Sequence, residues 1–124
     1  MTRIDALREF GQDAIDELDA ILGLCEEATE VVSRGRAAFD EDRLLRRAAD
    51  AIIMHIGEGV SRRRLDAFKL RHPFLGDSRG WQIVKDTANF YDHQYAEIDP
   101  EQTWRVLTID LPALEAFIRS ALGD

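Results

Sequence analysis

Residues 44–56 read Leu44-Leu45-Arg46-Arg47-Ala48-Ala49-Asp50-Ala51-Ile52-Ile53-Met54-His55-Ile56. Apolar residues fall in pairs at every fourth position: Leu44 and Leu45, Ala48 and Ala49, Ile52 and Ile53, then Ile56. That recurrence follows the 3.6-residue period of an α-helix and leaves one side almost continuously apolar. A helix with so wide an apolar side belongs at the centre of a bundle. Asp40 is placed to cap its start, and Gly57 and Gly59 flank Glu58 near its end.

Helical spacing continues on both sides of this stretch. Ile4, Leu7, Phe10, Ala14, Ile15, Leu18, Ile21, Leu22, Cys25, Thr29 and Val32 predict one long first helix. Asp5, Glu9, Asp13, Asp16, Glu17 and Asp19 give it an acidic outer face. Ser33-Arg34-Gly35 is its stop, since glycine accepts the left-handed turn after a helix. A short third helix is expected over residues 62–70, ended by His72-Pro73, because the residue before proline avoids the α region. Gly76 and Asp77 read as a turn and cap for a fourth helix over 78–91, with Trp81, Val84 and Ala88 on one side. Asp99-Pro100 is a start signal, a capping side chain followed by proline at the first helical position. Trp104, Val106 and Leu107 continue it. Asp110-Leu111-Pro112 repeats the signal, so the C-terminal stretch is two helices or one that kinks. Leu114, Phe117, Ile118 and Leu122 pack its last turns. No segment shows sustained period-two alternation. The predicted fold is all-α, an antiparallel bundle of about five helices forming one domain over residues 1–124.

Composition narrows the class. Of 124 residues, 45% are hydrophobic and 32% charged, a globular balance. The lone cysteine, Cys25, has Leu22 and Leu24 as neighbours and reads as a buried structural thiol. Residues 1–9 are too charged for an apolar leader, and no apolar run approaches a membrane span. The cytoplasm is therefore the expected location. The net charge of −8 excludes a generic nucleic-acid binder working through its overall field. Two local basic clusters remain, Arg43, Arg46 and Arg47, and then Arg62, Arg63, Arg64, Lys69 and Arg71. On composition alone both read as solvated helix faces.

His55, His72 and His93 are far apart in sequence and show no ligand spacing, so neither a metal nor a cofactor is expected. Ser-His-Asp chemistry has no positional support, and no glycine loop cradles a phosphate. There remains Ala88-Asn89-Phe90-Tyr91-Asp92-His93-Gln94-Tyr95. Asn89 and His93 are four apart and share a face if the helix continues. Tyr95 follows just beyond. On its own the pair reads as a histidine and an amide that satisfy each other.

Four stretches together resemble the HepT branch of the HEPN family, over about residues 40–122. They are Arg47 to Gly59, similar to that family's apolar helix ending in Ile-Gly-Glu; His72-Pro73 with Trp81 and Ile83; Asn89 to Tyr95; and Ile98-Asp99 with Trp104, Val106 and Asp110-Leu111-Pro112-Ala113-Leu114. The resemblance implies a homodimeric helical bundle that acts as a metal-independent endoribonuclease toxin on RNA. Its implied partner is an antitoxin, a small MNT-type nucleotidyltransferase that silences the toxin by transferring AMP to a tyrosine. The family motif is arginine, a polar residue, three more residues, histidine, any residue, tyrosine. Carried over, the polar residue is Asn89, the histidine His93 and the modified tyrosine Tyr95, with Tyr91 the next acceptor.

The arginine position is Ala88, a departure from the motif. In metal-free RNA cleavage the 2′-hydroxyl attacks the adjacent phosphorus. A histidine moves protons near neutral pH, and an arginine neutralises the developing phosphorane bidentately. Alanine does neither, so an impaired enzyme is expected. Ala88 is then either natural to a silent relative or an inactivating substitution that lets a toxic chain be expressed; the intact motif around it favours the second. Three readings stand: an endoribonuclease toxin crippled at Ala88, a catalytically silent HEPN module that dimerises and binds RNA or a nucleotidyltransferase, and a plain helical interaction domain.

Overall fold

The computed structural model describes residues 2–76, 79–93 and 98–124. The regular elements among them are all helical: α1 (Arg3–Phe10), α2 (Gln12–Ser33), α3 (Arg36–Glu41), α4 (Arg43–Val60), α5 (Asp66–Arg71), α6 (Arg79–His93), α7 (Pro100–Arg105) and α8 (Leu111–Ala121). The apolar pairs of residues 44–56 put α4 at the centre, packed against both α2 and α6. It buries Ala49, Ile52, Ile53, Ile56 and Val60 in a core shared with Leu18, Ile21 and Cys25 of α2 and Leu114 and Ile118 of α8. Cys25 is 2% exposed, and burial pushes its thiol up to about 12, the inert structural thiol expected.

Local chemistry moves several boundaries. The long first helix breaks at Gly11, whose φ of 87° leaves the α region at little cost only because glycine has no Cβ. Thr2 and Asp5 form a capping box on α1. Asp42, not Asp40, caps α4, accepting from the Leu44 and Leu45 amides at 2.9 and 3.3 Å. Asp40 is held instead by Arg36 at 2.8 Å. The third helix divides into a 3-10 turn, Arg63–Leu65, and α5. Asp99 caps α7 as expected, accepting from the Glu101 amide at 3.0 Å. Of the two C-terminal alternatives the continuous helix is found: a π-helical turn, Val106–Asp110, joins α7 to α8 without a break, and Asp110 makes no capping bond. The Asp77 cap and the Ser78 start of the fourth helix lie outside the described residues.

The acidic face of α1 and α2 neutralises most of the second basic cluster. Arg62 and Arg64 lie 3.4 and 3.7 Å from Glu17, and Arg71 lies 3.2 Å from Glu9. Lys69 pairs with Asp66 and donates to the Val60 carbonyl at 2.7 Å. That cluster is a solvated face, as its composition suggests.

Asp50 breaks the pattern from the other direction, a carboxylate only 9% exposed. Burial pushes its pKa up to about 6, with Arg46 pulling the other way. A folded-state value above the ordinary one means that the folded chain holds the proton longer. The stability tied to this group is therefore full below about pH 4 and is lost as pH rises towards 6. Asp50→Asn should be more stable than the parent at neutral pH, by on the order of 1–3 kcal/mol, with the gain gone near pH 4. Urea unfolding of both proteins at the two pH values checks this; a difference independent of pH would exclude ionisation as its cause.

Candidate functional site on the sixth helix

Helix α6 is registered by what it buries. Tyr91 is 1% exposed, and its hydroxyl lies 2.8 Å from Thr103 Oγ1 on α7. Trp81 packs edge-on to Phe68, Phe74 and Phe117 and donates from Nε1 to the His72 carbonyl at 2.9 Å. These anchors hold one side of α6 in the core and so turn the opposite side outward.

Asn89 and His93 are on that outer side, one turn apart and both exposed. The helix runs on to His93, which gives the shared face the spacing predicts. No hydrogen bond joins the two among the described residues; they are not a mutually satisfied pair. His93 is 71% exposed, and its Nε2 lies 3.4 Å from Asp92 Oδ2, too long for a well-formed hydrogen bond. The imidazole is therefore largely open to an incoming group.

Ala88 is elsewhere. It is 6% exposed and faces α4, where it abuts Gly57. A Cβ added to Gly57 would lie 1.9 Å from the Ala88 Cβ. The two helices touch here, backbone against side-chain stub. Beside the contact a groove of about 220 Å³ opens between α4 and α6, walled by Glu58, Ser61, Lys85, Asn89 and Asp92. A longer side chain at 88 has this groove as its way out, with the Glu58 and Asp92 carboxylates on its walls. Asn89 borders both the groove and the outer face and thus connects the two.

Tyr95 lies outside the described residues. Tyr91, the next acceptor in sequence, is unsuited to modification: its oxygen is bonded to Thr103, and burial raises its pKa. The three histidines stay apart, His55 on α4, His93 on α6, and His72 after α5 against Phe68 with ring centres 4.9 Å apart. Among the described residues no three His, Cys, Asp or Glu side chains group as metal ligands. No helix among them is long and apolar enough to cross a membrane.

Sequence reasoning missed three features. The Gly57–Ala88 contact joins residues 31 apart and has no local signal. Asp92 beside His93 is adjacent in sequence, but no motif marks it. The burial of Asp50 was readable, because Asp50 borders Ala49 on the apolar side of α4.

No curated protein and no solved structure gives a match to the chain. The family model described as "Ribonuclease HepT-like" matches residues 12–121, which takes in α2 through α8 and both walls of the groove. With a match over so much of the chain and an all-helical bundle among the described residues, the chain belongs to the HepT-like ribonuclease family.

Proposed function

We propose that this chain is the toxin half of a type II or type VII toxin–antitoxin pair, a metal-independent endoribonuclease impaired by Ala88. The observation that carries the reading is the exposed Asn89–His93 face of α6 beside a groove that opens at residue 88. In this mechanism the RNA's own 2′-hydroxyl attacks the neighbouring phosphorus and the bond to the 5′-oxygen breaks. His93 accepts or returns the proton, Asn89 hydrogen-bonds a phosphate oxygen, and the products end in a 2′,3′-cyclic phosphate and a 5′-hydroxyl. The guanidinium that would meet the phosphorane's charge is missing. Cleavage of RNA by the Ala88→Arg protein in the presence of EDTA is the experiment that tests it.

The proposal includes a two-fold homodimer. Ile83 on α6 and Ile109 in the π turn are 55% and 58% exposed, and Ile83 borders an apolar recess lined also by Val84, Thr87, Leu111 and Ala113. A two-fold interface places the same patch on both subunits, and one through α6 brings the two His93 faces towards a common cleft. Light scattering should give twice the chain mass at micromolar concentration, and Ile83→Asp with Ile109→Asp should give the monomer. A monomeric parent protein would remove the shared cleft.

The partner is proposed to be an MNT-type nucleotidyltransferase that transfers AMP to Tyr95. A phosphodiester attached two residues beyond His93 opposes an incoming RNA phosphate by like charge and bulk. Co-expression with the neighbouring nucleotidyltransferase gene should add one or more AMP masses, lost in Tyr95→Phe. Retention of the added mass in Tyr95→Phe would move the acceptor elsewhere, and the buried Tyr91 is a poor substitute.

One observation favours a second reading, a silent module that binds RNA or a nucleotidyltransferase without cutting. The Ala88 stub is fitted closely to Gly57, the packing expected of a native alanine.

A further inference from the structure

The groove beside Ala88 ends near Met54, and one turn back along α4 a second recess begins at Asp50. It holds about 280 Å³ and is lined by Arg43, Arg46, Arg47 and Asp50 of α4, with Ile98 and Pro100 opposite. Arg46 is committed to the fold: its guanidinium donates to the Phe39 carbonyl at 3.1 Å and to that of Asp40. Arg43 and Arg47 are different. They are exposed, stand one turn apart on the same helix face, and make no ion pair with any described residue. The contrast with Arg62, Arg64, Lys69 and Arg71 is direct, since those are spent on Glu17, Asp66 and Glu9.

Two guanidiniums with no carboxylate partner among the described residues, on a chain of net charge −8, make this a landing point for an anion. Among the described residues that line it, one carboxylate, Asp50, stands against three guanidiniums. The end of α4 does not supply the attraction, because Asp42 already occupies the Leu44 and Leu45 amides. Guanidiniums bind phosphodiesters bidentately, and the apolar wall of Ile98 and Pro100 suits a ribose or base beside the phosphate. Position along α4 adds the direction. At 1.5 Å per residue, Arg47 and Met54 are roughly 10 Å apart along the axis, a distance a strand of a few nucleotides spans.

We propose that Arg43 and Arg47 form a phosphodiester-binding subsite for single-stranded RNA, continuous along α4 with the groove beside Asn89. It rests on the reading of the chain as an RNA-directed protein, and it assigns the strand a path along α4.

The experiment measures binding apart from cleavage. A fluorescein-labelled oligoribonucleotide of about ten residues, fully 2′-O-methylated so that the attacking hydroxyl is blocked, is titrated with the full chain by anisotropy over a salt series. Arg43→Gln with Arg47→Gln should weaken binding at least about tenfold and flatten the salt slope by about 1.4, that is two phosphates at roughly 0.7 each. Arg34→Gln with Arg63→Gln makes the same change in net charge away from the recess and should stay within about twofold. Arg43→Lys with Arg47→Lys keeps the charge and should keep the slope while losing affinity. Thermal melting of each variant shows that it is folded. Equal losses in the two glutamine pairs, no loss in either, or no binding by the parent chain would overturn the subsite. RNA cleavage by Ala88→Arg that ignores Arg43 and Arg47 would sink the subsite but leave the nuclease. Binding that depends on them without cleavage would do the reverse.

Discussion

The Ala88→Arg protein should cleave RNA about a hundred- to a thousand-fold faster than the chain as it stands, with EDTA present. The magnitude is that of restoring one preorganised donor at the site of developing charge. The side-chain path supports it. The Cβ at 88 is already fixed against Gly57, so the added atoms must leave along the groove. Glu58 and Asp92 on its walls can hold the guanidinium by its inner edge, leaving its outer edge for a phosphate. Asp92 also lies 3.4 Å from His93 Nε2, so a guanidinium held there would stand beside the imidazole. Three controls make the result specific. Ala88→Lys should recover less, because an ammonium lacks the planar fork. His93→Ala in the arginine background should return the rate to the present level, since general acid–base catalysis contributes on the order of 10² to 10⁴. Expression of Ala88→Arg without the antitoxin gene should arrest growth. A folded Ala88→Arg protein that neither cuts RNA nor arrests growth would leave the silent binding module as the better reading.

How much of this was legible follows from the range over which each signal acts. The paired apolar residues of α4, the Asp99-Pro100 start and the His72-Pro73 stop act within a turn or two of chain, and each is found where periodicity and capping place it. Asn89 and His93 share a face because helical geometry alone requires it. The boundaries that moved were decided by competition between near neighbours. Asp40 and Asp42 could both cap α4, and Arg36 settled it by taking Asp40. The π turn at Val106–Asp110 was beyond local rules, because Pro112 has no amide to give and the backbone adjusts over several residues upstream. Charge was legible only as composition. Nothing in the sequence distinguishes Arg47, which has no ion pair among the described residues, from Arg62, paired with Glu17, since the partner lies 45 residues away. The same holds for Ala88: its identity as the motif's missing arginine came from resemblance, while its contact with Gly57 came only from the packed helices.

That contact makes the strongest prediction about the scaffold. Gly57→Ala should destabilise the protein by roughly 3 kcal/mol, near or above the top of the usual overpacking range, and lower Tm by about 10 °C. Helix propensity argues for the opposite result, because alanine is favoured over glycine by about 1 kcal/mol in a helix interior. Sterics win here. The new Cβ would lie 1.9 Å from the Ala88 Cβ, against an optimal carbon–carbon separation of about 3.5–4 Å. Neither atom can rotate away, since both are bonded directly to backbone, so α4 and α6 must move apart. That movement opens the seam that holds Ile53, Ile56 and Tyr91. Gly23, inside α2 with nothing within 4 Å of an added Cβ, is the internal control, and Gly23→Ala should stabilise slightly. Ala88→Gly combined with Gly57→Ala removes the opposing atom and should recover most of the loss, although each glycine in a helix carries its own cost. Differential scanning calorimetry of the three variants and the parent protein reads the result. If Gly57→Ala melts with the parent protein, α4 and α6 do not approach so closely, and the groove no longer sets the path of a side chain at 88.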